Sequence, residues 1–300
     1  MRIAVAGGTG FLGSHIAGAL AEAGHSLRIL SRSAPEGRAP GEWARCDVTD
    51  AGSLGGSLDG CDAVVQAVQF PNHPVEVPRR GLTYDRFDRQ GTSNMVAEAE
   101  RAGVERFFYL SGAGADPGSD KSWYRAKGRA EQALRASGLT WSILRPSWAY
   151  GPGDRALNRL ATIARFSPVV PRLGVGPQRV QPVFAGDIGL AVRRIFERDE
   201  AWGVAFEIGG EVMTMDEILH TLLKVMGKRR LIVPVPVALA KLGTAPLVLL
   251  PAPPMTPQGV EFAVQDGLVD TAALREVLGV HPMPLHEGLS RYLGPHGPVT

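Results

Sequence analysis

Apolar residues follow two rhythms along the first half of the chain, and their alternation predicts a layered α/β fold. Ile3-Ala4-Val5-Ala6 is an unbroken apolar run that gives way to Gly7-Gly8-Thr9-Gly10. From 11 to 23 the apolar positions Phe11, Leu12, Ile16 and Leu20 recur at helical spacing, and Gly24 stops the helix. Strands are predicted at 25–30, 43–46 and 62–67, the last a continuous apolar run suited to burial on both faces. Residues 83–102 read as one long helix ending at Gly103. A strand over 106–110 follows, closed by Ser111, then a helix over 121–136 closed by Gly138, and a strand over 140–144. Strands alternating with helices over short loops imply a parallel sheet covered by helices on both faces.

After Gly151 that rhythm fails and Pro and Gly become frequent. A strand at 181–184, a helix at 185–198 and a strand at 205–208 return to the first unit, and Thr214-Met215-Asp216-Glu217 has capping-box spacing before a helix reaching Met226. The expected architecture is a Rossmann-type doubly wound parallel sheet, 1–153 with 181–208. A smaller, discontinuous C-terminal α+β substrate domain would use 154–180 and 209–300.

Gly7, Gly10 and Gly13 recur every three residues between a strand and a helix. That spacing lets the backbone turn tightly, approach a pyrophosphate and pack the helix on the sheet. The loop from Gly7 through Thr9, Gly10, Phe11 and Leu12 to Gly13 is therefore the expected dinucleotide-phosphate site, its helix N–H groups facing the phosphates. At the end of the second strand an acid would read a ribose hydroxyl; the chain has Ser31-Arg32-Ser33 instead. NADP(H) is thus expected over NAD(H), with Arg32 clamping the 2′-phosphate and Ser31 or Ser33 donating a hydrogen bond. Asp47 either approaches adenine or caps the helix begun near Asp50.

Composition narrows the partners. The 300 residues are 44% hydrophobic, enough for a sizeable core, and 32 basic against 30 acidic residues leave a formal charge of +2. That field does not by itself argue for nucleic acid or for an anionic membrane. Cys46 and Cys61 make neither a disulfide framework nor a metal spacing, and His281 with His286 lacks further ligands, so no metal site is expected. Met1 leads straight into the first strand, which makes the cytoplasm the expected location.

Two stretches invite a substrate. Residues 69–80 hold three prolines and no periodicity, and read as a loop at the crevice: either a lid with His73, Arg79 and Arg80 as substrate contacts or a plain surface excursion. Residues 231–257 carry one charge, Lys241, and prolines divide them into pieces shorter than the about 20 residues a bilayer span needs. They read as core, as a homodimer contact, or as a cover or membrane-facing surface admitting a lipid-like or quinone substrate.

Several motifs together carry a resemblance: Gly7-Gly8-Thr9-Gly10-Phe11-Leu12-Gly13, Gly91-Thr92, Phe107-Phe108-Tyr109-Leu110-Ser111, Leu144-Arg145-Pro146-Ser147, Tyr150-Gly151-Pro152-Gly153, and Asp187 after Pro182-Val183. In these the chain resembles the atypical and extended short-chain dehydrogenase/reductases, in the branch of NmrA-like proteins and the Rossmann-type accessory subunit of respiratory complex I. The resemblance implies a phenol and an ammonium one helical turn apart that move a proton while hydride moves at the nicotinamide, with a serine orienting the carbonyl. Ser111 and Lys127 match the serine and the lysine, and Pro146 lies beside the nicotinamide. Four before Lys127, however, stands Trp123, whose indole N–H donates but is no acid near neutral pH.

Tyr124, three before Lys127, is rotated by about 100° around a regular helix. With Ser122 as cap the first turn need not be regular, which leaves Tyr124 as a displaced acid. Asp88 stands three before Gly91, where relatives often carry a relay Asn. Lys127 alone either acts as acid or base, if burial lowers its pKa, or only grips the cofactor ribose. The resemblance implies hydride transfer between NADP(H) and a small carbonyl, enone or quinone-like compound. The alternatives are a non-catalytic dinucleotide-binding regulator or assembly subunit, and an epimerase or dehydratase of nucleotide sugars.

Overall fold

The computed structural model describes residues 1–35, 37, 39–174, 178–250 and 255–294. Of the stretches assigned above, 175–177, 251–254 and 295–300 lie outside the described residues. In chain order the first unit runs β1 (Arg2–Ala6), α1 (Phe11–Glu22), β2 (Ser26–Ser31), β3 (Glu42–Arg45), β4 (Ala63–Gln66), α2 (Gly91–Arg101), β5 (Arg106–Leu110), α3 (Ser122–Arg135) and β6 (Thr140–Pro146). Next come β7 (Trp148–Tyr150), α4 (Ala156–Phe166), β8 (Val169–Leu173), β9 (Arg179–Val180), β10 (Pro182–Phe184), α5 (Ala185–Phe196) and β11 (Ala205–Ile208). The chain closes with β12 (Met213–Thr214), α6 (Met215–Val225), β13 (Leu231–Val235), α7 (Val237–Thr244), α8 (Pro257–Ala263), α9 (Ala272–Leu278) and α10 (Leu285–Leu293).

Seven parallel strands form one sheet in the order β11-β6-β5-β4-β1-β2-β3. The chain leaves β1 toward β2 and β3, then returns to β4 on the other side, so the crevice at the strand C-termini opens between β1 and β4. Alternate side chains serve opposite faces: Ile3 and Val5 join Ile16, Leu20, Ile188, Val192 and Leu274 under α1, α5 and α9. Ala4 and Val64 join Met95, Ala99, Phe107 and Leu134 under α2 and α3. This is the doubly wound fold that the alternation predicts. A separate apolar cluster around Tyr150 gathers Leu157, Leu219, Leu222, Leu285 and Leu289 from α4, α6 and α10. The predicted capping box opens α6, with Thr214 and Glu217 each bonded to the other's backbone N–H.

Four local expectations need correction. The helix predicted over 83–102 begins as a wider π turn, Asp85–Gln90, which lets the adjacent Phe87 and Asp88 both point inward before α2 continues regularly. Ser122 does not cap α3; Lys121 holds that position, and the Ser122 hydroxyl instead donates to Glu76 Oε2 at 2.7 Å. Asp50, not Asp47, caps the short turn at Ala51–Leu54 by accepting from the Gly52 N–H. Finally, residues 231–250 are not core, since none of them is buried.

Helices α1 and α5 cross with little between them: a Cβ on Gly189 would lie 2.9 Å from the His15 carbonyl oxygen and 3.3 Å from Ala19 Cβ. Gly189→Val should therefore prise this pair apart and cost about 1–3 kcal/mol. Urea unfolding of the variant checks it; unchanged stability would mean that the two helices separate without penalty.

Candidate functional site

At the phosphate end, each glycine of the trio has a steric reason. Gly7 has φ +80, and a Cβ there would lie 2.9 Å from the Ala67 carbonyl as β4 leaves the sheet. A Cβ on Gly13 would lie 2.0 Å from the Gly7 carbonyl oxygen. Gly10 N–H donates to that same carbonyl at 2.9 Å, tightening the turn, and Gly10 is the extended N-cap of α1. No side chain caps α1 and its first turn holds no acid, so its leading N–H groups face outward with their positive end of the helix dipole. Thr9 is exposed at the tip of the loop. A pyrophosphate fits this cradle in shape and in charge.

At the adenosine end, Arg32 and Ser33 are exposed, and Arg32 and Arg86 each place a guanidinium carbon 6.0 Å from the Phe87 ring centre. The Ser31 hydroxyl is committed locally, donating to the Ser33 carbonyl at 2.7 Å and accepting from the Trp43 indole N–H at 2.9 Å. Of the two serines, Ser33 is the exposed one and Ser31 is half-buried. Asp47 folds back on its own turn, accepting from Thr49 N–H at 2.9 Å and Thr49 Oγ1 at 2.8 Å.

At the C-terminal ends of β5 and β6 the chain brings Ser111, Lys127 and Pro146 together. Ala113 N–H donates to the Pro146 carbonyl at 2.9 Å, and a Cβ on Gly112 would lie 3.2 Å from Lys127 Cδ. Lys127 Nζ sits 2.9 Å from Asp88 Oδ1, with the Asp88 side chain wholly buried and its Oδ2 accepting from Phe70 N–H at 3.2 Å. Burial pulls the lysine pKa down, but Asp88, with Tyr109 and Glu131, outweighs burial and holds it above the ordinary lysine value. Lys127 is thus a fixed ammonium, which overturns the expectation of a lysine that burial turns into a proton-transfer group.

The two other expected catalytic groups are also engaged. Ser111 is buried, and its hydroxyl donates to Glu131 Oε1 at 2.6 Å. Glu131 in turn receives Arg145 through two bonds of 2.9 and 2.6 Å. Tyr124 lays its ring against Gly114 and donates its hydroxyl to Gln265 Oε1 at 2.9 Å. Trp123 is buried, with ring centres of Phe262 at 5.2 Å and Tyr84 at 6.4 Å.

The 69–80 loop is packed rather than open: Phe70, Val75 and Val77 are buried, and the His73 ring pairs with Tyr84 Oη at 2.7 Å and stands edge-on to Phe262 at 4.4 Å. Arg79 points elsewhere, donating to the Leu250 carbonyl at 2.7 Å. Sequence reasoning missed Glu131, Gln265 and Phe262. Glu131 had a signal, since it lies one helical turn beyond Lys127 on the face that meets the sheet; the other two are remote in sequence and gave none.

Comparison with known proteins bears on the family and the fold. The NAD(P)H-binding family matches residues 7–165. A 40 kDa subunit of mitochondrial NADH-ubiquinone oxidoreductase from Neurospora crassa is 25% identical over 96% of this chain and 78% of its own length. The 2-alkyl-3-oxoalkanoate reductase of Stenotrophomonas maltophilia is 31% identical over 77% of each chain. Among solved structures, MoeE5 in complex with UDP-glucuronic acid and NAD shares the fold, with a TM-score of 0.76 and 20% identity over 97% of both chains. The chain belongs to the NAD(P)H-binding family, and within it to the extended, NmrA-like short-chain dehydrogenase/reductases.

Asp88→Asn would leave the Lys127 ammonium buried without its counter-charge and should cost about 3–5 kcal/mol at neutral pH. Because the pair raises the lysine pKa, its contribution is full below the ordinary value of 10.5 and fades as pH rises beyond it. The gap between wild type and variant should accordingly narrow above that pH in chemical denaturation, and adding Lys127→Met should restore much of the loss. A gap that widens with pH would contradict the assignment.

His73 titrates the other way. Burial, aided by Lys127, lowers its pKa from 6.5 to about 4, so the folded state resists a proton that the unfolded chain accepts. Stability should fall as pH drops below 6.5 and level off below about 4, by no more than ~3 kcal/mol from this residue. NMR titration of the imidazole checks the midpoint, and a midpoint near 6.5 would show that the loop opens to solvent.

Proposed function

We propose that the protein holds NADP(H) across the crevice without the phenol–lysine proton relay, as a dinucleotide-binding regulator or assembly subunit. One observation carries this reading: Trp123 stands buried against Tyr84 and Phe262 where the relay requires an acid. In the proposed binding mode the N–H groups of Phe11, Leu12 and Gly13, with the Thr9 hydroxyl, take the pyrophosphate. Gly7 and Gly10 shape the turn beneath it. Arg32 and Ser33 take the 2′-phosphate, with Ser31 bracing Ser33 through its carbonyl, and Asp47 borders adenine.

Lys127 keeps donors beyond the one facing Asp88, and these suit the nicotinamide ribose hydroxyls, with Pro146 beside the ring. Bound NADPH would supply a hydride. Both cysteines are free and buried, as fits the cytoplasmic location we propose.

A second reading is favoured by the fixed charge of Lys127. Reduction of a simple ketone leaves a strongly basic alkoxide that needs an acid at once. Hydride addition to a quinone leaves a phenolate-like anion, which an adjacent ammonium stabilises and water protonates, since phenols have pKa values near about 10. The buried aromatic cluster of Phe70, Tyr84 and Trp123, with Phe262 packed against it, gives this region an apolar character.

Calorimetric titration with NADPH and NADH, on wild type and Arg32→Ala, tests the binding mode. NADPH should bind more tightly, and the substitution should weaken it ~10-fold or more while sparing NADH. The absorbance of bound NADPH should persist with ketones and aldehydes. Consumption with a benzoquinone would select the second reading, ketone turnover would refute the missing relay, and failure to bind either nucleotide would defeat both. Trp123→Tyr should restore ketone turnover if the remaining site is assembled.

A further inference from the structure

We infer that residues 231–250 form a docking surface for an anionic lipid bilayer, on which the protein lies without inserting a span. The inference does not depend on the nucleotide reading. It starts from an imbalance between sequence and burial. This stretch is almost wholly apolar, with Lys241 its one charge, yet none of its residues is buried. Leu239 and Leu242 on α7 and Leu249 in the turn after it are 61%, 71% and 80% exposed. Leu231 at the start of β13 and Phe166 at the end of α4 are exposed as well, at 65% and 85%.

The segment is nevertheless held in place from behind. Strand β13 pairs in parallel with β8 over five residues, Lys241 is bonded to Glu261 of α8, and Arg79 grips the Leu250 carbonyl. Backbone pairing and charges at the edge thus order a piece of chain whose leucines face outward, contrary to what hydrophobic burial alone would produce.

Charge decides what covers it. Lys228, Arg229 and Arg230 immediately precede Leu231, and Arg230 donates through Nε to the Ala164 carbonyl at 2.8 Å, beside Arg165 and Phe166. Lys224, Lys228, Arg229 and Arg165 meet no acidic partner among the described residues. The nearby acids are occupied, Asp216 by Arg172 and Glu261 by Lys241. Cations therefore adjoin the Leu231 and Phe166 end of this exposed apolar stretch, which matches an interface where leucines enter the acyl boundary while Lys and Arg stay among anionic headgroups. A second copy fits less well, because an isologous contact through this patch would bring the same cationic border toward itself. No helix among the described residues is long and apolar enough to cross a membrane, so the contact lies in the interfacial plane.

Vesicle flotation of the full chain tests this, using phosphatidylcholine vesicles with and without phosphatidylglycerol, at low and at high salt. Wild type should float with the phosphatidylglycerol vesicles at low salt and detach as salt rises. Leu239→Ser/Leu242→Ser/Leu249→Ser should abolish flotation, and Lys228→Glu/Arg229→Glu should reduce it ~10-fold or more on anionic vesicles. All substitutions are at exposed sites, and unchanged thermal unfolding confirms that each variant is folded. Flotation that ignores the triple substitution, or none on either vesicle, would overturn the proposal. A dimer in sedimentation velocity that the triple substitution dissolves, without vesicle binding, would overturn it in favour of self-association. NADPH binding, measured in parallel, should be the same in every variant, which keeps failure here distinct from failure of the nucleotide site.

Discussion

A Cβ on Gly13 would lie 2.0 Å from the Gly7 carbonyl oxygen, so the first helix can rest against the first strand only where both positions lack side chains that interfere. Much else follows from that contact. It sets the direction in which α1 leaves the sheet, and hence where its uncapped N–H groups point. It also brings the Gly7 turn to within contact of Ala67 at the end of β4, across the point where the strand order reverses. The phosphate cradle and the crevice are therefore one construction, made by the close approach of two backbones. Helix α5 continues it on the outer side, where Gly189 lets it settle on α1.

Around Ser111 and Lys127, buried charged and polar groups are paired with one another. Lys127 faces Asp88, and Ser111 faces Glu131, which is itself clamped by Arg145. Each arrangement satisfies groups that would be costly to leave unpaired in a low-dielectric interior. Each also commits a side chain that the reductase resemblance assigns to catalysis. Phe70, Tyr84, Phe87 and Trp123 pack on one another as a buried aromatic cluster beside these pairs.

The rest of the chain divides between burial and exposure in an unusual way. Leu157, Leu219, Leu222, Leu285 and Leu289 close around Tyr150 and bury their faces fully. The leucines of 231–250, drawn from an equally apolar sequence, do not. The difference lies in geometry: α4, α6 and α10 present stripes to one another, whereas β13 and α7 lie along β8 and α8 with their leucines exposed.

What the sequence by itself determined was the alternation of strands and helices, the parallel sheet, the glycine loop and the absence of an acid beside Arg32. Each depends on residues close together in the chain, where period, spacing and backbone sterics act directly. The motif residues Ser111, Lys127 and Pro146 were legible too, as positions. Their states were not. Whether Lys127 is a base or a fixed ammonium depends on Asp88, 39 residues earlier, and on how a π turn rotates that carboxylate inward. Ser111 meets Glu131 because β5 and α3 pack, and Tyr124 meets Gln265 from far along the chain. Likewise, hydropathy alone marked 231–257 as apolar without distinguishing core from surface. Tertiary structure decided these points because desolvation, ion pairing and exposure are properties of three-dimensional surroundings, and those surroundings are assembled from segments that local patterns cannot pair.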